Sequence, residues 1–131
     1  MNDPLRKAII SGGVINLFLA LFHVFLCYQI YQAYSQMPIY PLLQMFSIGG
    51  TLMVFFLAYT SLFQSMELSA TRTGQSVVLL NIFLYLARTL GEVLLFPRIN
   101  FLIIGVCSFL VILYSYIFIR TRRTVSAIPT A

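Results

Sequence analysis

Four long apolar segments fill most of the chain, and short polar stretches separate them. They cover residues 8–34, 41–63, 77–95 and 99–119. A helix needs about 20 residues to cross a hydrocarbon layer about 30 Å thick, and each segment reaches or nearly reaches that length. Backbone groups in lipid must form their hydrogen bonds within the segment, which favours helices over open strands. The pattern therefore predicts four transmembrane helices.

The connections between these segments predict how the helices are arranged. Pro38 and Pro41 interrupt the first connection, and the third is a tight turn around Pro97. Short connections place successive helices side by side and antiparallel. We therefore expect an all-α fold, an integral membrane bundle of four antiparallel transmembrane helices in a single domain. In the second connection, residues 67–74 are expected to form a solvated turn.

Composition narrows the class of protein further. The chain has 131 residues, of which 60% are hydrophobic and 8% are charged, whereas soluble domains carry about 25% charged residues. The longest polar connection, residues 64–76, is too short to bury a core of its own. The first apolar segment is much longer than the apolar part of a secretory signal peptide, which has about 7–15 residues. These features predict a multi-pass protein of the cell membrane, surrounded by the lipid bilayer.

The net charge of +5 does not indicate a nucleic-acid partner, because the basic residues lie at the ends of the apolar segments. Most of them fall on one side of the predicted bundle: Arg6, Lys7, Arg72, Arg120, Arg122 and Arg123. The opposite side carries only Arg98. Basic residues are concentrated in cytoplasmic loops, so both termini are predicted to be cytoplasmic. Residues 120–131 form a basic cytoplasmic tail that would lie against anionic headgroups.

The third segment carries a polar stripe. Asn81, Tyr85, Arg88 and Glu92 are spaced by four, three and four residues, which puts them on one face of a helix. A charged side chain inside a membrane segment costs about 2.5–3.5 kcal/mol on insertion scales, so it is a candidate functional residue. Arg88 and Glu92 could instead be an ion pair that fixes the helix in the bundle, and the sequence leaves this alternative open.

A second polar stripe lies on the first segment. Asn16, Ala20, His23 and Cys27 follow the same spacing, and a polar stripe is expected to face the interior of the bundle. We therefore predict an outward-facing polar pocket between the first and third transmembrane helices. Its predicted ligand-binding residues are His23, Arg88, Glu92, Tyr85, Asn16 and Asn81. Arg88 would hold an anionic or carbonyl group, because its planar fork suits such partners.

The other residues of this pocket have predicted roles of their own. Glu92 would orient Arg88 or carry a proton. His23 would donate a hydrogen bond or relay protons.

Two further patterns bear on the packing of the bundle. Residues 15–23 align without gaps on residues 80–88, which matches Asn16 with Asn81 and His23 with Arg88. Two helix pairs related by an axis along the membrane normal would produce this similarity, although short apolar segments also align by chance. Small residues inside the segments are expected to let helices approach closely: Gly12, Gly13, Gly49, Gly50, Gly91 and Gly105.

Function is less constrained than fold. The sequence contains no catalytic or phosphate-binding motif, and Cys27 and Cys107 have neither a redox nor a metal-site spacing. We expect a non-enzymatic protein, without a metal site, that binds a small ligand, lipid headgroup or partner through the predicted pocket. Two alternatives remain: a proton-coupled transporter or channel subunit, and a quinone- or haem-linked membrane enzyme. The transporter predicts a homo-oligomer or a larger membrane complex. The sequence identifies no cofactor.

Overall fold

A computed structural model describes residues 3–95 and 100–126, and five helices account for nearly all of this part of the chain. They are α1 (Asp3–Tyr34), α2 (Tyr40–Phe63), α3 (Ser65–Ala70), α4 (Arg72–Leu95) and α5 (Phe101–Ser126). The four long helices are apolar and long enough to cross a membrane, and the described ranges contain no strand. The predicted all-α bundle of four membrane-spanning helices is confirmed. The predicted turn around Pro97 and Arg98 lies outside the described residues.

The long helices form two antiparallel hairpins. The first hairpin consists of α1 and α2, the second consists of α4 and α5, and α3 connects them. We call the side where α1 begins and α5 ends the termini side, and the side of residues 35–39, where α4 ends and α5 begins, the loop side. The predicted basic tail is helical where it is described, since α5 continues through Ser126.

The second connection differs from the solvated turn predicted for residues 67–74. Helix α3 occupies its first part, and Leu68 and Ser69 are buried while Glu67 remains exposed. A Cβ atom on Gly74 would lie 2.5 Å from the Cα atom of Leu68, so the backbones of α3 and α4 touch at this glycine. The short helix α3 can bury an apolar side chain because Gly74 of α4 has no side chain to keep the two helices apart.

Two adjacent glycines set the position of α1. A Cβ atom on Gly12 would lie 2.8 Å from the hydroxyl of Tyr114 on α5. A Cβ atom on Gly13 would lie 2.9 Å from side-chain atoms of Ser61 and Leu62 on α2. The absence of side chains at these positions therefore lets α1 contact α2 and α5 at the same level, as the predicted packing role requires.

The same prediction is wrong for two other glycines within a single copy of the chain. Nothing lies within 4 Å of a Cβ atom built on Gly49 or on Gly105, so neither residue mediates a close helix contact. Gly50 does have a neighbour, the ring of His23, at 3.8 Å from such an atom. Small size therefore indicates close packing only where a second helix faces the residue.

Burial is concentrated on the termini side. All buried residues of α1 lie between Leu5 and Ala20, and all those of α2 lie between Thr51 and Ser61. Residues 21–50, which make up the loop side of the first hairpin, contain no buried residue. The two hairpins therefore pack together in the termini half, and each covers less of the other's surface in the loop half.

Candidate functional site

A buried amide in α1 lies at the centre of the contact between the hairpins. Asn16 Nδ2 donates hydrogen bonds of 3.0 Å to Asn81 Oδ1 on α4 and of 3.0 Å to the hydroxyl of Tyr114 on α5. The hydroxyl of Tyr85, also on α4, donates to Asn16 Oδ1. All four residues are buried, with Asn16 fully inaccessible at 0% exposure. Both hydrogens of the Asn16 amide and its oxygen are thus engaged.

Two further contacts extend this group. The hydroxyl of Tyr114 lies 3.2 Å from Ser61 Oγ on α2, and Asn81 Nδ2 donates a 3.0 Å hydrogen bond to the carbonyl of Val77 in its own helix. Because Tyr114 already accepts from Asn16, its own hydrogen is available to Ser61. We call Asn16, Ser61, Asn81, Tyr85 and Tyr114 the cross-hairpin network, and it takes a side chain from each of the four long helices.

The cross-hairpin network contains three of the six predicted ligand-binding residues, Asn16, Asn81 and Tyr85. The structure brings them together, but their polar groups bond to one another in a fully buried environment. Sequence reasoning did not select Ser61 or Tyr114. The available signal for Tyr114 was its position inside an apolar segment, because a buried tyrosine hydroxyl needs a hydrogen-bonding partner. The network therefore acts first as a connection between the hairpins.

The remaining charged pair lies nearer the loop side. Arg88 Nη1 is 2.7 Å from Glu92 Oε2, and the side chains are 40% and 4% exposed respectively. Glu92 Oε1 accepts a 3.2 Å hydrogen bond from the backbone N–H of Asn100. Asn100 Oδ1 in turn accepts from the backbone N–H of Leu102 at the start of α5. Glu92 is consequently held between α4 and the beginning of α5, while Arg88 is half-exposed.

The direction of the Arg88 side chain follows from this pair. Side chains on a helix normally lean toward its N-terminus, yet the partner of Arg88 lies one turn toward the C-terminus of α4. The guanidinium therefore extends toward the loop side. Arginine near a membrane-helix end commonly directs its charge toward the interface in this way.

His23 lies on the other hairpin and faces α2. Its ring is half-buried and packs beside Gly50. One turn further along α1, Cys27 Sγ lies 3.0 Å from Ser47 Oγ and 3.5 Å from Thr51 Oγ1, both on α2. The polar stripe predicted for α1 is therefore divided. Asn16 contacts the second hairpin, whereas His23 and Cys27 contact the helix of their own hairpin.

His23 and Arg88 nevertheless lie at the same level. Helices α1 and α4 run in the same direction and are joined by the hydrogen bond between Asn16 and Asn81. His23 and Arg88 each follow their asparagine by seven residues, about 10 Å along a helix. The charge of Arg88 is also close enough to act on His23. The two side chains thus stand on opposite hairpins, on the loop side of the network.

We call the space between the hairpins at this level the loop-side cleft. His23 and Arg88 stand on either side of it, and Ala20 and Tyr85, one turn nearer the termini side, are buried. Within the described residues, no group of three or more histidine, cysteine or acidic side chains could hold a metal ion.

Comparisons with protein-family models, with curated proteins and with solved structures found no match for this chain. The four long apolar helices indicate a multi-pass membrane protein.

Proposed function

We propose that this protein is a non-enzymatic membrane protein that binds an anionic or carbonyl-bearing small ligand, such as a lipid headgroup, through Arg88 in the loop-side cleft. One observation carries the proposal. Arg88 keeps 40% of its side chain exposed inside a membrane-spanning helix, while its partner Glu92 is only 4% exposed.

This unequal burial favours a positioned cation over a pair that serves only the fold. Glu92 is fixed by the ion pair on one oxygen and by the backbone of Asn100 on the other. A guanidinium has five N–H donors in a planar fork, and a carboxylate or phosphate can accept two of them at once. Glu92 therefore orients Arg88, and the exposed 40% of the arginine side chain is accessible to a ligand.

The environment strengthens such a contact. A hydrogen bond to a charged group contributes about 1.5–3 kcal/mol, and the electrostatic part grows as the surroundings become less polar. His23 stands at the same level on the first hairpin and can donate a hydrogen bond from its ring. A ligand that accepts from both side chains would bridge the two hairpins.

The proposal includes an orientation in the membrane. Among the residues whose burial the structure describes, five cations are exposed on the termini side: Arg6, Lys7, Arg72, Arg120 and Arg122. One of them, Arg120, lies over the ring of Tyr116, with 5.5 Å between the guanidinium carbon and the ring centre. A basic band of this kind favours the cytoplasmic face and anionic headgroups. Both termini would then be cytoplasmic in the cell membrane, and the loop-side cleft would open outward.

The closed termini half supports binding rather than passage through a single copy. The cross-hairpin network and the glycine contacts of α1 fill the space between the hairpins on that side. A solute crossing one copy of the chain would have to break the hydrogen bonds of this network. Breaking them would leave buried polar groups without partners. Transport would therefore need an additional conformation or an oligomer.

The test uses the protein purified in a neutral detergent and titrated with two anionic probes, glycerol phosphate and dihexanoyl phosphatidylglycerol. We expect at least one of them to bind, and we expect the substitution Arg88→Met to weaken that binding about tenfold or more, as the loss of a charge-assisted hydrogen bond predicts. Arg72→Met is the matched control, because it removes the same charge from the opposite side of the bundle.

Two results would overturn the proposal. One is equal binding by wild type and Arg88→Met. The other is a protein that fails to accumulate as Arg88→Ala but accumulates as Arg88→Met with unchanged binding. In that case the arginine supports the fold through its long side chain, and its charge has no ligand.

A further inference from the structure

We infer that the ligand held by Arg88 is an anionic phospholipid of the leaflet on the loop side, bound by its headgroup phosphate, with its acyl chains along the partly buried apolar residues at the edges of the hairpins. This inference rests on the function proposed above and specifies the class of ligand. Depth in the membrane, the shape of the cleft and the apolar residues beside it support the choice of a lipid over a soluble anion.

The first argument is depth. Arg88 lies seven residues before the end of α4 at Leu95, about 10 Å along the axis. Its guanidinium extends toward Glu92, which is only three residues, about 4.5 Å, from that end. The positive charge is therefore close to the level at which helix ends meet the headgroup layer. A phospholipid in this leaflet carries its phosphate near that level without being drawn deep into the bilayer.

The second argument is the shape of the cleft. One turn nearer the middle of the membrane, Ala20 and Tyr85 are 0% and 4% exposed, and Cys107 on α5 is also 4% exposed, so these residues leave little accessible space deeper in the bundle. A small soluble anion at such a shallow site would stay largely hydrated and would make few contacts besides Arg88 and His23.

The third argument is the apolar residues next to the two polar ones. Leu19 lies four residues before His23, and Leu84 lies four residues before Arg88, so each sits one turn nearer the middle of the membrane. Both leucines are partly buried at the edge of the hydrophobic core. A lipid whose phosphate is at Arg88 directs its chains in the same direction. Burial of its methylene groups there adds a hydrophobic contribution to binding that a free headgroup cannot gain.

The experiment compares bound lipids directly. The protein is placed in nanodiscs of phosphatidylcholine and phosphatidylglycerol in equal amounts, released into the mass spectrometer, and the retained lipids are identified and counted. We expect one phosphatidylglycerol to be retained by wild type and by Arg72→Met, and its retention to fall about tenfold or more in Arg88→Met. Leu84→Ala should reduce retention as well, because it removes apolar contact without changing charge.

A second arm separates this inference from the function on which it rests. Glycerol phosphate is added at millimolar concentration to the same samples. If it binds in an Arg88-dependent manner as tightly as the lipid, or displaces it, the ligand is a soluble anion; the lipid inference is then overturned and the proposed function stands. If Arg88→Met alters the retention of neither probe, both fall. Equal retention of phosphatidylcholine at Arg88 would overturn the assignment to an anionic lipid.

Discussion

The two halves of this bundle handle polar side chains in opposite ways. In the termini half, amide and hydroxyl groups from all four long helices are buried and bonded to one another around Asn16. In the loop half, the polar contacts described above lie within one hairpin. Arg88 and Glu92 belong to the second hairpin, and His23 and Cys27 contact α2 of the first. One half uses polarity to join the hairpins, and the other half leaves a cation beside an opening.

The difference shows how polarity can have two functions in one small membrane protein. A neutral network in which every group has a partner carries no net charge and can be enclosed completely. An arginine retains more donors than one carboxylate can accept, so enclosing it would be costly. The position of each residue type therefore follows from the cost of burying it. Substitutions in the two halves should have unequal effects, and the following predictions test this contrast.

The largest effect is expected from Asn16→Leu. The substitution removes three hydrogen bonds between helices and leaves the hydroxyls of Tyr85 and Tyr114 with fewer partners. Hydrogen bonds between membrane helices contribute about 0.6 kcal/mol each on average, and an unsatisfied buried group adds about 1–3 kcal/mol. We expect a loss of about 3–5 kcal/mol in the free energy of unfolding, measured by steric trapping in bicelles.

His23→Leu is the matched control for Asn16→Leu, since it replaces a polar residue on the same helix two turns away. We expect it to change the free energy of unfolding by less than about 0.5 kcal/mol, because His23 is half-buried. If both substitutions are equally destabilising, a polar residue of the loop half stabilises the fold as strongly as one of the termini half, and the contrast drawn above is wrong.

The second effect concerns the contact between α3 and α4. Gly74→Ala places a methyl group against the backbone of α3, which cannot move aside as a flexible side chain can. Overpacking of this kind costs about 1–3 kcal/mol, and we expect a correspondingly lower temperature at which the detergent-solubilised protein aggregates. Gly49→Ala, where nothing lies within 4 Å, should leave that temperature unchanged or raise it slightly. A large decrease for Gly49→Ala would reveal a neighbour outside the single chain.

The smallest effect is expected from Cys27→Ala. Its thiol contacts Ser47 and Thr51, but Thr51 also donates a 2.7 Å hydrogen bond to the carbonyl of Ser47 and so keeps a partner. A thiol is a weak donor and acceptor, so we expect a change of less than about 0.5 kcal/mol in the same unfolding measurement. A loss comparable to that of Asn16→Leu would show that the first hairpin depends on this contact.

Part of the site could be predicted from spacing alone. The intervals from Asn81 to Glu92 place four polar side chains on one face, and all four do take part in polar contacts. The alignment of residues 15–23 with 80–88 also matched Asn16 with Asn81, which bond to each other across the bundle. Facing positions of this kind are expected for residues near an axis that relates two repeats. The repeat itself stays a prediction.

The roles of the same residues could not be predicted in this way. Spacing along α1 puts Asn16 and His23 on one face, but it does not say which helix that face meets at each level. In the structure Gly50 of α2 lies beside the His23 ring, while Asn16 meets α4 and α5. Spacing could not predict Ser61 and Tyr114 as members of the network either, because their partners are 53 to 98 residues away in the chain.

The sequence by itself determined that this chain forms four apolar helices, because segment length and the cost of unpaired backbone groups in lipid leave no other regular structure. It also determined which helix faces are polar, because the period of a helix is fixed. Only the tertiary structure decided that Asn16 is enclosed while Arg88 is half-exposed. That outcome depends on where the glycines of α1 let neighbouring helices approach and where the hairpins separate, and both are properties of packing between segments distant in the chain.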